Sequence, residues 1–344
     1  MEFVFPFDSV TLTNQVNLIP SDYGMLNALN LFPSEPISTT VVGIHRVGNQ
    51  IRVLPAKPRG VRGAEPASDK ENIFYLEVPH FPIADNLGPA DLQNKAAIVD
   101  GRAVPMTVEM ATAKKLMKLR RHHAVTREYL KFAALKGLVK DGDGNTIVNL
   151  YTFFGITKVT VDLALGTAGT EIFDKLEEIR TSVLKGVQGD TVSRVEVVIG
   201  STLLNRLLKH PKFEKYWLNT PSAQELVKLE RHRLGQDFGR IIDTGTVLLR
   251  ESVGQVPVKV NDVLTNESLM APTLGVAYPA GTTEMFTTFD APPHHIDAVN
   301  EPGMEIFISE KVLDHGEGVE MKSQSNPLPI VKRPEALVEI ISSN

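Results

Sequence analysis

Six positions near the middle of the chain, Asp141-Gly142-Asp143-Gly144-Asn145-Thr146, hold three oxygen-bearing side chains at alternate positions, the spacing of the first ligands of an EF-hand calcium loop. Such a loop also needs a glycine at its sixth position and a bidentate glutamate at its twelfth. Counted from Asp141 these positions are Thr146 and Thr152, so both are missing. Three monodentate oxygens cannot fill a shell of six to eight ligands. The residues that follow, Thr146 to Tyr151, are β-branched and apolar where an EF-hand would continue as an amphipathic helix. The segment is therefore expected to be a hairpin in which Leu138-Val139 pairs with Ile147-Val148 across a tip that supplies positive-φ positions.

Other chemistry-bearing groups are equally incomplete. His122 and His123 are adjacent on a helical stretch, point about 100° apart and cannot share a metal. Both are expected on the solvated surface or facing phosphate. His294-His295-Ile296-Asp297 offers donors for a divalent ion but no third ligand at fixed spacing, so a structural role is expected. Glu177 and Glu178 lie beside Arg180 on an amphipathic helix and read as a solvated face. The chain contains no nucleophile elbow, zincin motif, phosphate-binding loop or dinucleotide fingerprint. It has no cysteine, which excludes disulfides, thiolate catalysis and cysteine-ligated zinc. No catalytic residue, cofactor or metal ligand is expected.

What the sequence does concentrate is charge. The net charge is −5, yet residues 111 to 140 carry nine basic residues against Glu128 alone, and residues 290 to 320 carry eight acids against Lys311. Residues 1 to 30 hold three acids and no Lys or Arg. Such segregation predicts that surfaces of opposite sign meet, within the fold or between copies of it. The basic run, with Lys114, Lys115, Lys118, Arg120 and Arg121, has three readings: contact with nucleic-acid phosphates, contact with the acidic section of a neighbouring copy, or a solvated face.

The elements that would carry these charges follow from periodicity. At 344 residues, with 42% hydrophobic and 22% charged residues, the chain is a folded protein of about two domains, or one with large extensions. No signal peptide or membrane span is predicted. Residues 1 to about 40 read as an extended arm with no core of its own. "VVGIHRVGNQIRV" (41 to 53) and "IFYLEVPHF" (73 to 81) read as strands joined by a long tip rich in Pro, Gly and charge. Thr107 is a plausible N-cap and Gly137 a plausible C′ residue for a helix of roughly 45 Å. Its apolar stripe is expected at Met110, Ala113, Met117, Ala124, Tyr129, Phe132 and Ala133, with the basic run covering the rest. Ile172, Leu176, Ile179 and Val183 mark an amphipathic helix closed by Gly186. "RVEVVIG" is a buried strand leading to Ser201 as the cap of the next helix, and Ser222 to Glu225 is a capping box. With the strands "GRIIDTGTVLLRE", "VPVKVNDVL" and "LGVAYPAG", residues 160 to 285 make a mixed α/β domain. The strand-rich remainder must pack on something earlier, because short strands are not stable alone.

In this order the elements resemble the HK97-like fold of tailed-phage major capsid proteins. The similarity is greatest to the phage major capsid protein E family, the group containing the lambda head protein. "YLKFAALKGLVKDGDGNTIVNLYTFFGI" (129 to 156) is similar to that family's junction between spine helix and hairpin. "EMFTTFDAPPHHIDAVNEPG" (284 to 303) resembles its strand returning from the axial domain, and "QSNPLPIVKRPEALVEI" (324 to 340) its C-terminal strands. The resemblance spans about residues 40 to 344.

It implies an α+β, non-enzymatic shell subunit of the virion, self-assembling into hexamers and pentamers of an icosahedral shell around double-stranded DNA. Residues 1–40 become an N-terminal arm and 41–100 an E-loop, with Lys57, Arg59 and Arg62 at its tip touching another subunit. Residues 101–159 and 286–344 become a peripheral domain with the spine helix, and 160–285 an axial domain. Scaffolding, portal and decoration proteins are implied partners, with any scaffold a separate or already removed protein, and assembly is implied in the host cytoplasm. No Lys and Asn pair can be matched for the cross-linking found in some members, so that activity is not implied. The competing readings are a host-encoded compartment shell of the same fold and a soluble α/β enzyme or binding module with a pocket of convergent titratable groups.

Overall fold

The computed structural model of the chain describes residues 4–20, 23–47, 71–99, 101–187, 189–218, 239–260 and 263–343. The first forty residues are not an extended arm throughout. They form helices α1 (Ser9–Leu18) and α2 (Met25–Ala28) and a short strand β1 (Ser34–Pro36). Asp8 caps α1 by accepting from the Thr11 amide at 2.8 Å. Leu12 and Val16, one turn apart, are fully buried. Thr13 Oγ1 accepts from the Ile308 amide at 3.0 Å, and Asn17 Nδ2 donates to the Ile306 carbonyl at 2.9 Å. The helix forms because a segment nearly three hundred residues away completes it, which no local periodicity reveals.

Strands β2 (Val41–Val47) and β3 (Glu71–Glu77) pair antiparallel as expected, with Val41 opposite Glu77. Lys57, Arg59 and Arg62 lie between them, outside the described residues. The hairpin base is anchored by buried Val42 and Ile44 and by Phe74, whose ring lies 5.2 and 5.4 Å from those of Phe153 and Phe154. Strand β4 (Phe81–Leu87) follows, then a small hairpin of β5 (Ala96–Val99) and β6 (Arg102–Pro105).

Helix α3 (Val108–Leu135) is the longest element among the described residues. Thr107 accepts from the Met110 amide, and Gly137 takes φ +78° beside the Tyr151 ring, so both expected boundaries hold. The expected stripe holds only in the second half, where Ala124, Tyr129, Phe132 and Ala133 are buried. Ala113 and Met117 are exposed, and Leu116 and Leu119 carry the burial in the first half. From Arg127 to Leu135 every residue is buried, the mark of a helix running through the core.

Beyond it, β7 (Leu138–Lys140) and β8 (Thr146–Asn149) form the hairpin, Val139 opposite Val148, followed by α4 (Leu150–Phe154). The Asp141 carboxylate accepts from the Asp143 and Asn145 amides at 3.0 and 2.8 Å and from Asn145 Nδ2 at 3.0 Å, while Gly144 supplies φ +85°. The would-be first calcium ligand is spent on the turn.

The α/β section holds β9 (Val159–Asp162), α5 (Ile172–Val187), β10 (Arg194–Gly200), α6 (Ser201–Leu208) and α7 (Pro211–Leu218). It continues with β11 (Ile241–Asp243), β12 (Leu248–Ser252), β13 (Gln255–Val260), β14 (Val263–Ser268) and β15 (Gly275–Ala280). Ile172, Leu176, Ile179 and Val183 form the buried face of α5. Gly186 does not close this helix, which runs on to Val187; a Cβ there would lie 2.3 Å from the Glu335 carbonyl, so the glycine permits close packing. Gly200, not Ser201, occupies the N-cap position of α6, and a side chain there would meet the Ala271 carbonyl at 2.2 Å. The Ser222 to Glu225 box lies outside the described residues.

The return section supplies β16 (Phe286–Asp290), β17 (Phe307–Val312), β18 (Val319–Ser325), β19 (Pro327–Val331) and β20 (Val338–Ile341). As expected, it packs on earlier chain: β16 lies between β1 and β19, and β18 between β17 and β4. Strand β20 enters the six-stranded sheet β11-β12-β10-β15-β20-β9. A large core joins this sheet to the second half of α3, and a smaller one joins α1, the first half of α3, β17 and β18. Among the described residues no helix is long and apolar enough to cross a membrane.

Candidate functional site

Helix α3 is where the segregated charges meet. Arg127 reaches Asp290 at the end of β16 with two bonds, Nη1 to Oδ1 at 2.6 Å and Nη2 to Oδ2 at 3.0 Å, and both residues are buried. Ser34 of β1 donates to the same carboxylate. Two turns earlier, Arg120 holds Glu305 with paired contacts of 3.0 Å. The expectation that opposite charges meet is thus realised inside one chain, where the basic run clasps the acidic return section.

The same helix fixes the N-terminal segment and β4. The Glu128 carboxylate accepts from the Leu26 and Asn27 amides at 2.8 and 2.9 Å, satisfying the open end of α2. Gly24 at φ +100° makes room for it, since a Cβ there would sit 2.3 Å from the Glu128 carboxyl carbon. Burial pushes the Glu128 carboxyl up to about 7, although the amide bonds and Lys131 oppose the shift. Lys131 donates to Asn27 Oδ1 at 2.8 Å, and burial with Arg127 nearby pushes its ammonium down to about 8. Lys115 bridges Asp85 and Asp91 at 2.9 and 3.3 Å, and Lys118 takes the other oxygen of Asp85 at 3.0 Å.

Of the five cations in the expected basic face, Lys115, Lys118 and Arg120 are therefore ion-paired within the chain. Lys114 and Arg121 are exposed, with no partner among the described residues. His122 is exposed as expected, but His123 is not: it is 1% exposed, shares a hydrogen bond of 2.9 Å between its Nε2 and Ser323, and burial together with Arg127 pushes it down to about 4. The two point in different directions on the helix, and the sequence alone does not say which of them the fold buries. His295 uses Nδ1 to accept from the Asp297 amide at 3.3 Å, and the His294 amide donates to Gln324 Oε1. No cluster of metal-ligating side chains occurs among the described residues.

Two partners in this junction escaped the sequence reading. Glu128 carried a signal, since it is the only acid among nine cations. Asp290 carried none beyond its place at a strand end.

A second buried charge cluster lies in the central sheet. Glu196 accepts from Arg194 Nε at 2.6 Å, Arg250 Nε at 2.9 Å and the Tyr278 hydroxyl at 2.9 Å, and it lines a cavity of about 410 Å³. Burial drives the Tyr278 phenol far up, which keeps it a neutral donor. These groups bond one another, so the cluster ties β10, β12 and β15 together.

Residues 8–342 match the phage major capsid protein E family. The chain is 29% identical over 350 residues to the major capsid protein of Salmonella phage Felix O1, covering 96% of this chain and 94% of that protein. Its fold is similar to a crystal structure assigned as a prophage capsid protein of E. coli CFT073, with a TM-score of 0.64 at 12% identity over 99% of this chain and 100% of that one. It is also similar to the subunit in the mature capsid of bacteriophage PhiM1, with a TM-score of 0.50 at 13% identity over 100% of this chain and 90% of that one. These matches favour a phage shell protein over the compartment and enzyme readings. With an HK97-like fold and a match over nearly its whole length, the chain belongs to the phage major capsid protein E family and is a shell-forming structural subunit of the virion.

Proposed function

We propose that many copies of this chain close into an icosahedral shell of hexamers and pentamers that packages double-stranded phage DNA. The observation that carries this reading is the set of elements a single chain leaves incomplete. Among the described residues, β2–β3 and β5–β6 are two-stranded ribbons with no third strand, and such ribbons are marginal in water. Large apolar side chains stand out on these and other peripheral elements: Tyr75 is 69% exposed, Ile98 81% and Leu18 82%. Neighbouring copies would cover them.

In this reading residues 1–40 are the N-terminal arm, 41–100 the E-loop, 101–159 with 286–344 the peripheral domain and 160–285 the axial domain, whose sheet β20 completes. Lys57, Arg59 and Arg62 at the E-loop tip reach over a neighbour. The internal pairing of Lys115, Lys118 and Arg120 leaves Lys114 and Arg121 as the cations of the basic face that serve an outside partner. The chain has no catalytic role. It assembles in the host cytoplasm with scaffolding and portal proteins, and decoration proteins join the finished head.

Negative-stain electron microscopy of the expressed protein, with light scattering on a sizing column, tests the proposal. Hollow icosahedral particles, tubes or rings of five and six subunits are expected. A chain that stays monomeric at high concentration, even with scaffold or crowding agent added, would overturn it.

A further inference from the structure

Two surface features remain after the intrachain contacts are assigned, and their chemistry is complementary. The first is a groove of about 310 Å³ between the end of α1 and the outer face of α3, lined by Ile19, Pro20, Tyr23, Met117, Arg121 and Ala124, with the ion-paired Arg120 at its base. Met117 is 55% exposed although apolar. Lys114, Met117 and Arg121 fall at i, i+3 and i+7 and so form one stripe, an apolar side chain between two cations. From residue 110 to residue 126 the helix carries no acid that would neutralise them.

The second feature is the connection from β16 to β17. Ile296 is 85% exposed, more than any other large apolar residue described, and Val299 is 61% exposed. Asp297, 83% exposed, and Glu301 flank them, and no Lys or Arg occurs from 291 to 304. These side chains stand out because the backbone holds them there. The Ala298 amide donates to the His295 carbonyl at 3.1 Å, and the Gly303 amide donates to the Ile37 carbonyl at 2.9 Å. Gly303 is pressed so close to the Asp290 carbonyl that a Cβ would lie 2.0 Å from it. A preformed loop loses little entropy when it docks.

The loop leaves its sheet on the side away from α1 and α3. Ile306, just before β17, and Ile308 within it point into the core shared with α1 and α3. Phe307, between them, points to the other face of the strand, where its ring meets that of His295 at 5.1 Å. The loop thus starts on the side of the sheet opposite the groove.

We infer that the 296–301 loop of one copy docks in the α1/α3 groove of a second copy, with Ile296 and Val299 against Met117 and Ala124, and Asp297 and Glu301 against Arg121 and Lys114. The inference rests on the shell reading and deepens it by naming one of the contacts between copies. Because the two patches are different surfaces of the same chain, the contact is head-to-tail, the type that closes into rings. The charged rim sets register and encounter rate, and the apolar pair supplies the buried centre.

The test is a charge swap in the full chain, read by particle yield on a sizing column and by electron microscopy. Arg121→Glu places like charges face to face and is expected to lower the assembled fraction about tenfold or more. Combining it with Asp297→Arg is expected to restore assembly. Ile296→Asp gives a second, independent loss by burying a carboxylate in the groove. All three positions are exposed or on a groove rim, and circular dichroism of the monomers checks that they fold. Particles from Arg121→Glu at wild-type yield, or a double variant no better than the single one, would overturn the contact. Normal particle yield with reduced nucleic-acid content would also overturn it and assign the face to DNA. Absence of particles from the wild-type chain would instead sink the shell reading itself, so the two failures are distinct.

Discussion

The bond between Arg127 and Asp290 joins α3 to β16 and, through Ser34, to β1, so three segments distant in sequence depend on one guanidinium. Replacing Arg127 with Met keeps most of the side-chain volume and leaves the Asp290 carboxylate buried with the Ser34 hydroxyl as its remaining donor. Glu305 is not orphaned, because Arg120 holds both its oxygens. Removing one member of a buried pair costs about 3 to 5 kcal/mol. For a chain of this size each kcal/mol lowers Tm by about 2 °C, so Arg127→Met should melt roughly 6 to 10 °C below the parent. Adding Asp290→Asn removes the stranded charge and keeps an acceptor for Ser34, so the double variant should recover about 1 to 3 kcal/mol relative to Arg127→Met alone. The assay is thermal and urea unfolding of unassembled subunits across the four-member cycle. A single variant within about 1 kcal/mol of the parent, or strictly additive losses, would refute the claim that this pair locks the junction.

The buried titratable groups on α3 predict opposite pH responses, read by urea unfolding between pH 4 and 8. His123 is depressed to about 4 in the fold, so its contribution is full above its ordinary 6.5 and is lost as pH falls toward 4, by up to roughly 3 kcal/mol; His123→Gln should remove that slope. Glu128 is raised to about 7, so its contribution is full below its ordinary 4.5 and disappears as pH rises through 7; Glu128→Gln keeps one of the two acceptor oxygens that the Leu26 and Asn27 amides use, loses the other, and should flatten the curve there. Millimolar calcium should leave Tm unchanged, whereas Asp141→Ala, which removes three hydrogen bonds at an exposed tip, should destabilise by about 1 to 2 kcal/mol; a calcium-dependent rise in Tm would revive the metal reading. Gly186→Ala should cost about 1 to 3 kcal/mol in unfolding free energy by pushing α5 away from the Glu335 backbone, against the small gain an alanine normally brings to a helix interior. Reversing Lys57, Arg59 and Arg62 to Glu together should block particle formation while circular dichroism shows a folded subunit, and normal shells from that chain would remove the E-loop tip from the interface.

What could be read from the residues themselves was whatever short-range physics decides. Thr107 and Gly137 bound α3 because a hydroxyl can accept an amide three residues on and a glycine tolerates positive φ. The Asp141 to Asn145 tip is a turn because its carboxylate meets amides two and four residues away. The apolar face of α5 followed from 3.6-residue periodicity. Family-specific segments in the right order carried the reading from elements to a shell subunit. Long-range partners decided the rest. Helix α1 looked like a featureless arm because Leu12 and Val16 are buried by distant chain. His123 could not be separated from His122 until α3 was laid against Ser323. Most of the basic run read as an open face, yet Lys115, Lys118 and Arg120 belong to Asp85, Asp91 and Glu305. A charge in sequence declares only its sign; whether it meets a carboxylate, a second copy or water depends on what the tertiary fold brings within a few ångströms, and the partner of Arg127 lies 163 residues away.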